Sequence, residues 1–246
     1  LAVLSIGIGA YRNADIRLSL PAKDARDFAA ALRLQRGRLY GEVDSIVLTD
    51  QDATRPRIEQ ELERLVASVG PDDLAFVFLA GHGVSTTAGN YFFLPWESDP
   101  ETVRSTGVPE STIRSALSRI RGKVLLFVDT CHAGSAIGSF VTANRDLARL
   151  GNDLASSENG IVVFASSTGR QLSEENDAWG NGAFTRAVVD GLRGKADLQK
   201  TGRVTFKSLD LYVSDAVSRL TDGRQTPVTI SPIGVPDFAV ARSGNI

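Results

Sequence analysis

The sequence predicts an α/β fold in three layers, a mostly parallel central sheet flanked by helices on both faces. Two observations carry this. Five apolar runs of strand length alternate with segments of helical periodicity. The runs are nearly continuously apolar, the pattern of strands covered on both faces. Two of them, Phe76-Val77-Phe78-Leu79-Ala80 and Val124-Leu125-Leu126-Phe127-Val128, stop at polar residues beside glycine. In open α/β sheets the carboxyl rim of the strands is where sites form.

The first strand spans Ala2 to Ile8, apolar but for Ser5 and Gly7. A helix follows, with Ala25, Phe28, Ala29 and Leu32 on one stripe. Val43 to Leu48 is the second strand. Thr54 is the expected N-cap of a helix whose apolar face is Ile58, Leu62, Leu65, Val66 and Val69. Leu74 to Ala80 is the third strand, closed by Gly81-His82-Gly83, and Tyr91 to Leu94 is a short β element stopped by Pro95. Pro109 opens a helix with the stripe Ile113, Ala116, Leu117 and Ile120. Lys123 to Val128 is the fourth strand and carries Cys131 at its carboxyl end. Residues 135–159 read as a surface connection. Ile161 to Ala165 is the fifth strand, helices are expected over Gly182–Leu192 and Thr205–Leu220, and Phe238 to Val240 is a last edge strand.

Composition narrows the function classes. The chain has 246 residues, 42% apolar and 23% charged, with a net charge of −2. No basic excess suggests nucleic acid, and no apolar run reaches bilayer length. A single cysteine cannot form an intramolecular disulfide, so no oxidising compartment is needed and the cytoplasm is the expected location. Methionine is absent and the chain opens inside a strand, so a fragment or processed form is expected.

Two residues carry the chemistry. Cys131, the sole cysteine, follows Asp129-Thr130, and His82 lies 49 residues earlier between two glycines. A thiol attacks as thiolate, and a free cysteine of pKa ~8.5 is mostly protonated at neutral pH. A histidine within reach can take that proton and return it to the leaving amine. The N–H groups of Gly83 and Cys131 are the expected oxyanion hole. An isolated cysteine is more often an inert buried hydrophobe, but Asp129, Thr130 and His132 surround this one with polar groups. His132, next to the thiol in sequence, points elsewhere in regular backbone and is assigned an orienting or packing role. Two histidines and one cysteine are too few for a structural zinc site, and no G-x-S-x-G elbow occurs. Gly7-Ile8-Gly9-Ala10-Tyr11-Arg12 starts like a dinucleotide fingerprint, but Arg12 replaces the third glycine and a tight strand exit explains the run as well.

The segments Phe78-Leu79-Ala80-Gly81-His82-Gly83 and Asp129-Thr130-Cys131-His132-Ala133-Gly134 resemble the two catalytic blocks of the caspase superfamily, nearest its metacaspase and bacterial caspase-like branch. Ala22-Lys23-Asp24-Ala25, Phe164-Ala165-Ser166-Ser167-Thr168-Gly169 and Gly182-Ala183-Phe184-Thr185 extend the similarity over most of the chain. Ala133 and Pro21 depart from the residues common there, serine and cysteine. The resemblance implies a caspase-like three-layer sandwich spanning 1–246 as one peptidase domain. Within it, 1–134 is like a large subunit, 135–159 is a connecting linker and 160–246 is like a small subunit. It implies a cysteine endopeptidase with the Cys131–His82 dyad, and self-processing in the linker at Arg145 or Arg149.

Animal caspases hold a substrate aspartate with arginines and a glutamine two residues before the cysteine. This chain has Asp129 there, and the resemblance pairs it with Asp24 in a substrate-binding pocket to which Ser166 is added. Two carboxylates accept Arg or Lys and repel aspartate, so cleavage after Arg or Lys is expected. The competing reading of Asp24 is an acid at a helix N-terminus. The substrate is expected to add as a strand beside the segment after Phe164. No cofactor is expected. Relatives often need calcium, and Glu97 and Asp99 are the loop carboxylates considered for it, although calcium takes six or more oxygens. The expected partner is a protein or peptide substrate, with no nucleic acid or membrane, in a monomer fused to a sensor or repeat module outside this segment. The alternatives are a catalytically silent interaction or scaffold module, against which retention of Cys131 and His82 argues, and an active peptidase with aspartate preference.

Overall fold

The computed structural model describes residues 1–86, 90–99, 102–132, 152, 160–167, 175–176 and 180–244. The central sheet contains β1 (Ala2–Gly7), β2 (Asp44–Thr49), β3 (Leu74–Ser85), β4 (Tyr91–Phe93), β5 (Val108–Pro109), β6 (Lys123–His132), β7 (Ile161–Ala165) and β11 (Val228–Ile230). Its order is β11-β7-β6-β3-β1-β2, with β4 on the end of β3 and β5 on β4. The five strands β1, β2, β3, β6 and β7 are parallel to one another, while β11, β4 and β5 pair antiparallel. Two short ribbons, β8 (Glu175–Asn176) with β9 (Asn181–Gly182) and β10 (Val204–Thr205) with β12 (Ala239–Ala241), lie off the sheet.

The period-2 alternation of side chains sorts the apolar residues onto two faces. From β3 and β6, Val77, Leu79, Leu126 and Val128 enter one core, which helix α2 (Arg55–Ser68) and, after the single turn α3 (Val103–Thr106), helix α4 (Glu110–Ser118) cover with Ile58, Leu62, Leu65, Ile113 and Leu117. Phe76, Phe78, Leu125 and Phe127 enter the other. That face lies under α1 (Pro21–Arg33), α5 (Ala183–Asp190) and α6 (Phe206–Leu220), through Phe28, Ala29, Leu32, Phe184, Val188, Leu209, Val213 and Val217. The second core is organised by stacked rings. Phe127 lies 4.7 Å from Phe164, 5.1 Å from Phe28 and 5.9 Å from Phe76 between centroids.

Several elements differ from the sequence reading. β3 does not close at Ala80; it runs through Gly81-His82-Gly83 to Ser85, because β4 supplies partners for Gly83, Val84 and Ser85. β6 likewise extends to His132 in register with it. Thr54 occupies the N-cap of α2 but its side chain makes no capping bond; the Arg55 N–H donates instead to Glu97 Oε1 at 2.8 Å. The helix expected over Gly182–Leu192 begins at Ala183 and passes at Gly191 into a wider π-turn that ends at Lys195. Thr205 caps α6 through a reciprocal pair with Ser208, the Ser208 N–H donating to Thr205 Oγ1. The last strand is not an edge of the sheet but the partner of β10; the edge is β11, three residues of moderate apolarity that local pattern did not reveal. The expected linker 135–159, with Arg145 and Arg149, lies outside the described residues except for Asn152.

Phe127→Ala should cost about 3–5 kcal/mol, the range for emptying a buried aromatic site, read as a lower urea midpoint. An unchanged midpoint would contradict the stacked core.

Candidate active site

His82 owes its position to the glycine before it. Gly81 has φ +146°, and a Cβ there would lie 2.7 Å from Tyr11 Oη. That backbone turn leads the His82 N–H to donate to Tyr11 Oη at 2.8 Å, while the His82 carbonyl accepts from the Leu94 N–H at 3.0 Å. Tyr11 Oη in turn donates to the Leu94 carbonyl at 3.3 Å. The imidazole is 6% exposed and its ring centroid is 5.2 Å from that of Tyr11. Its Nε2 lies 2.9 Å from the carbonyl oxygen of Ile16. A carbonyl only accepts, so Nε2 carries the proton and the basic lone pair of the neutral ring is on Nδ1.

Ile16 and Tyr11 belong to the connection between β1 and α1, and that connection is tied down along its length. The N–H groups of Gly9 and Ala10 both donate to Asp50 Oδ1, at 2.9 and 2.8 Å. Asp50 itself has φ +49°. Arg12 stacks its guanidinium over Trp96 at 5.9 Å and donates to the Glu97 carbonyl, Trp96 Nε1 donates to the Ala10 carbonyl, and Arg17 Nε donates to the Tyr11 carbonyl. The amides that a phosphate would use in a dinucleotide fold are therefore taken by Asp50, and the run Gly7 to Arg12 is a strand exit.

β6 brings Cys131 to the same level. His82 and Cys131 are register partners in the parallel pair β3–β6, which places their Cα atoms one strand spacing apart, about 4.8 Å. His132 is the partner of Gly83. Gly83 is also opposite Phe93 of β4. Because the neighbouring His82 turns its N–H and C=O toward the β4 side, alternation turns the Gly83 N–H toward β6. A Cβ on Gly83 would lie 2.3 Å from Oη of the buried Tyr91, so only glycine fits. Burial holds the Tyr91 phenol far above its usual pKa, and it stays a neutral donor to Thr130 Oγ1.

Asp24 and Asp129 come from different elements and converge on the start of α5. Asp24 Oδ1 accepts from Asn181 Nδ2 at 2.8 Å and its Oδ2 from the Gly182 N–H at 3.4 Å. Asp129 Oδ2 accepts from Thr185 Oγ1 at 2.9 Å. Both carboxylates are buried, at 3% and 6% exposure. Asp24, in the first turn of α1, thus also serves the N-terminus of α5. Ser166 is also buried; its N–H donates to the Val128 carbonyl and its carbonyl accepts from Gln225 Nε2. Residues 163–165 of β7 are paired on both sides, by β6 and β11, so no substrate strand adds there; the segment after Ser167 lies outside the described residues.

Glu97 accepts the first N–H of α2 at Oε1 while its Oε2 is buried without a hydrogen-bond partner, and Asp99 is exposed with its carbonyl bonded to the Thr102 N–H. Among the described residues no three His, Cys, Asp or Glu side chains gather as metal ligands do, and no helix is long and apolar enough to cross a membrane. Sequence reasoning missed Tyr11, the Ile16 carbonyl, Asn181 and Thr185. A backbone carbonyl has no sequence signal, and Tyr11 lies in a run that reads only as a strand exit.

The family model for the caspase domain matches residues 2–234. Similar solved structures include a protein from Geobacter sulfurreducens, at TM-score 0.68 and 19% identity over 96% of this chain and 94% of that one. The Drosophila initiator caspase Dronc is similar at TM-score 0.57 and 11% identity, over 93% of this chain and 78% of Dronc. No curated protein matches.

Gly83→Ala should overpack against Tyr91 at about 1–3 kcal/mol, read as a fall of several degrees in the thermal midpoint. An unchanged midpoint would refute the close approach.

Proposed function

We propose that this chain, which belongs to the caspase domain family, is a cysteine endopeptidase that cleaves after Arg or Lys, with Cys131 as nucleophile and His82 as its base. The observation that carries this is the register pairing of His82 with Cys131 on adjacent strands, with Nε2 committed to the Ile16 carbonyl.

The chemistry follows from that tautomer. Nδ1 of His82 takes the thiol proton, and the thiolate attacks the scissile carbonyl carbon. Negative charge moves to the carbonyl oxygen, and the N–H groups of Gly83 and Cys131, both of which face into the β3–β6 pairing, receive it once the last pairs of that ladder part for the substrate. Collapse of the tetrahedral adduct breaks the C–N bond, the imidazolium returns its proton to the leaving amine, and a thioester remains. Water, giving a proton to His82, then attacks the thioester and releases the acid and the thiol. Imidazolium is stabilised throughout by the Ile16 carbonyl dipole on Nε2–H. No step above calls on a cofactor.

Specificity rests on charge. Asp24 and Asp129 approach one helix N-terminus from two elements and are donated to by the neutral groups of Asn181, Gly182 and Thr185. A cationic side chain arriving there completes a carboxylate pair, whereas an aspartate adds a third like charge. Self-processing at Arg145 or Arg149 would follow from the same preference.

Matched fluorogenic peptides with Arg, Lys or Asp at P1 test both parts. Cleavage after Arg or Lys should vanish in Cys131→Ala. In Asp129→Asn, kcat/KM for the Arg peptide should fall about 10–100-fold, the worth of a charged hydrogen bond of ~1.5–3 kcal/mol. Cleavage after Asp would refute the pocket. Cleavage that survives Cys131→Ala would refute the nucleophile, and a wild-type protein that cuts nothing would favour a silent interaction module.

A further inference from the structure

We propose that Tyr11 is the positioning residue of the catalytic base, holding the imidazole of His82 in the orientation from which Nδ1 takes the thiol proton; the inference rests on the dyad proposed above. Tyr11 acts on His82 at three points. Its hydroxyl accepts the His82 N–H at 2.8 Å, which fixes the backbone from which the imidazole projects. Its ring packs beside the imidazole at 5.2 Å and an interplanar angle of 31°. Its own carbonyl accepts from Arg17 Nε, the residue after Ile16, so the turn that presents the Ile16 carbonyl to Nε2 is tied back to Tyr11.

The hydroxyl is fully committed. It accepts from one strand residue and donates to the Leu94 carbonyl, bridging β3 to the residue that follows β4. Tyr11 is fully buried, so water cannot replace either bond when the oxygen is removed. Phenylalanine would leave the His82 N–H and the Leu94 carbonyl to re-pair around it. Gly81 belongs to the same device, since the turn at φ +146° that delivers the His82 N–H also leaves room for the Tyr11 oxygen. Asp50 supports it from outside. By accepting the Gly9 and Ala10 amides it holds the loop immediately before Tyr11. Neither Tyr11 nor Asp50 needs to touch substrate. Their effect passes through the imidazole.

The sole cysteine makes a readout independent of peptide cleavage possible. Alkylation of the intact protein by iodoacetamide, followed across pH, reports the thiolate fraction of Cys131. In the wild type the apparent pKa should lie below the ~8.5 of a free thiol, because the imidazole stabilises the thiolate, and His82→Ala should return it to that value. Tyr11→Phe should move the profile in the same direction and slow alkylation at pH 6.5 by about tenfold, less than the roughly 10²–10⁴-fold worth of a whole acid–base group. Asp50→Ala should give a smaller shift of the same sign, and provides a second test should Tyr11→Phe not fold. Tyr40→Phe is the control for a purely structural loss. Tyr40 Oη donates to the Val240 carbonyl at 2.8 Å in a different part of the fold, so its removal should lower the melting temperature and leave the profile unchanged. A Tyr11→Phe profile that overlays the wild type, whatever its melting temperature, overturns the positioning role. A wild-type thiol that titrates as a free one and ignores His82→Ala overturns the dyad itself, and the role of Tyr11 with it.

Discussion

Ten consecutive register pairs between β3 and β6, from Leu74 with Lys123 to Gly83 with His132, are the constraint on which the rest of the structure depends. A slip of one residue in a parallel pair exchanges the two faces of the strand. Phe76, Phe78, Leu125 and Phe127 would then leave the aromatic core and enter the face now filled by Val77, Leu79, Leu126 and Val128. The two faces differ in volume and covering helices, so the register is strongly specified by packing. The pairing of His82 with Cys131 comes with it. The apolar middle of the sheet therefore sets the alignment of the polar end, where no apolar burial is available to do so.

Electrostatics at the rim is arranged through backbone groups as much as through charged partners. Asp24 and Asp129 meet the start of α5, Asp50 meets two amides of the β1–α1 connection, and Glu97 meets the first N–H of α2. In each case a carboxylate accepts from backbone or hydroxyl groups of a segment remote in sequence. Such bonds fix a loop more tightly than an exposed ion pair, which contributes about 0–1 kcal/mol. The contrast is visible on the outer helices. There Arg36 with Glu42, Arg119 with Glu63 and Arg219 with Asp215 pair in solvent.

The site is thus built on a rigid floor and a tied wall. β3 and β6 are the floor, held by pairing on both sides. The connection from β1 to α1 is the wall, and two separate segments, one around Asp50 and one from Leu94 to Trp96, hold it against His82. This division has a physical origin. Strand pairing positions backbone, but an imidazole has free torsions of its own, and only contacts from outside the strand restrict them.

Much of this was legible in the chain itself. Apolar runs and helical stripes located the five parallel strands and most helices, because burial on both faces imprints composition directly. The residues proposed as nucleophile and base stood out as well, since a lone thiol and a glycine-flanked imidazole at strand ends are chemically conspicuous, and their register pairing came from the fold. The extension of β3 past Gly81 was not, because it depends on β4 arriving alongside. Nor was β11 at the sheet edge, whose three residues carry no strong pattern, or the cap that Glu97 supplies to α2 across 42 residues. Tyr11 reads locally as one more residue of a strand exit, and the Ile16 carbonyl has no identity in a sequence. The sequence by itself determined which residues are apolar, which can do chemistry, and in what layers they lie. Only the tertiary structure decided which distant donors and acceptors meet, because hydrogen-bond partners are chosen by position in space and leave no periodic trace along the chain.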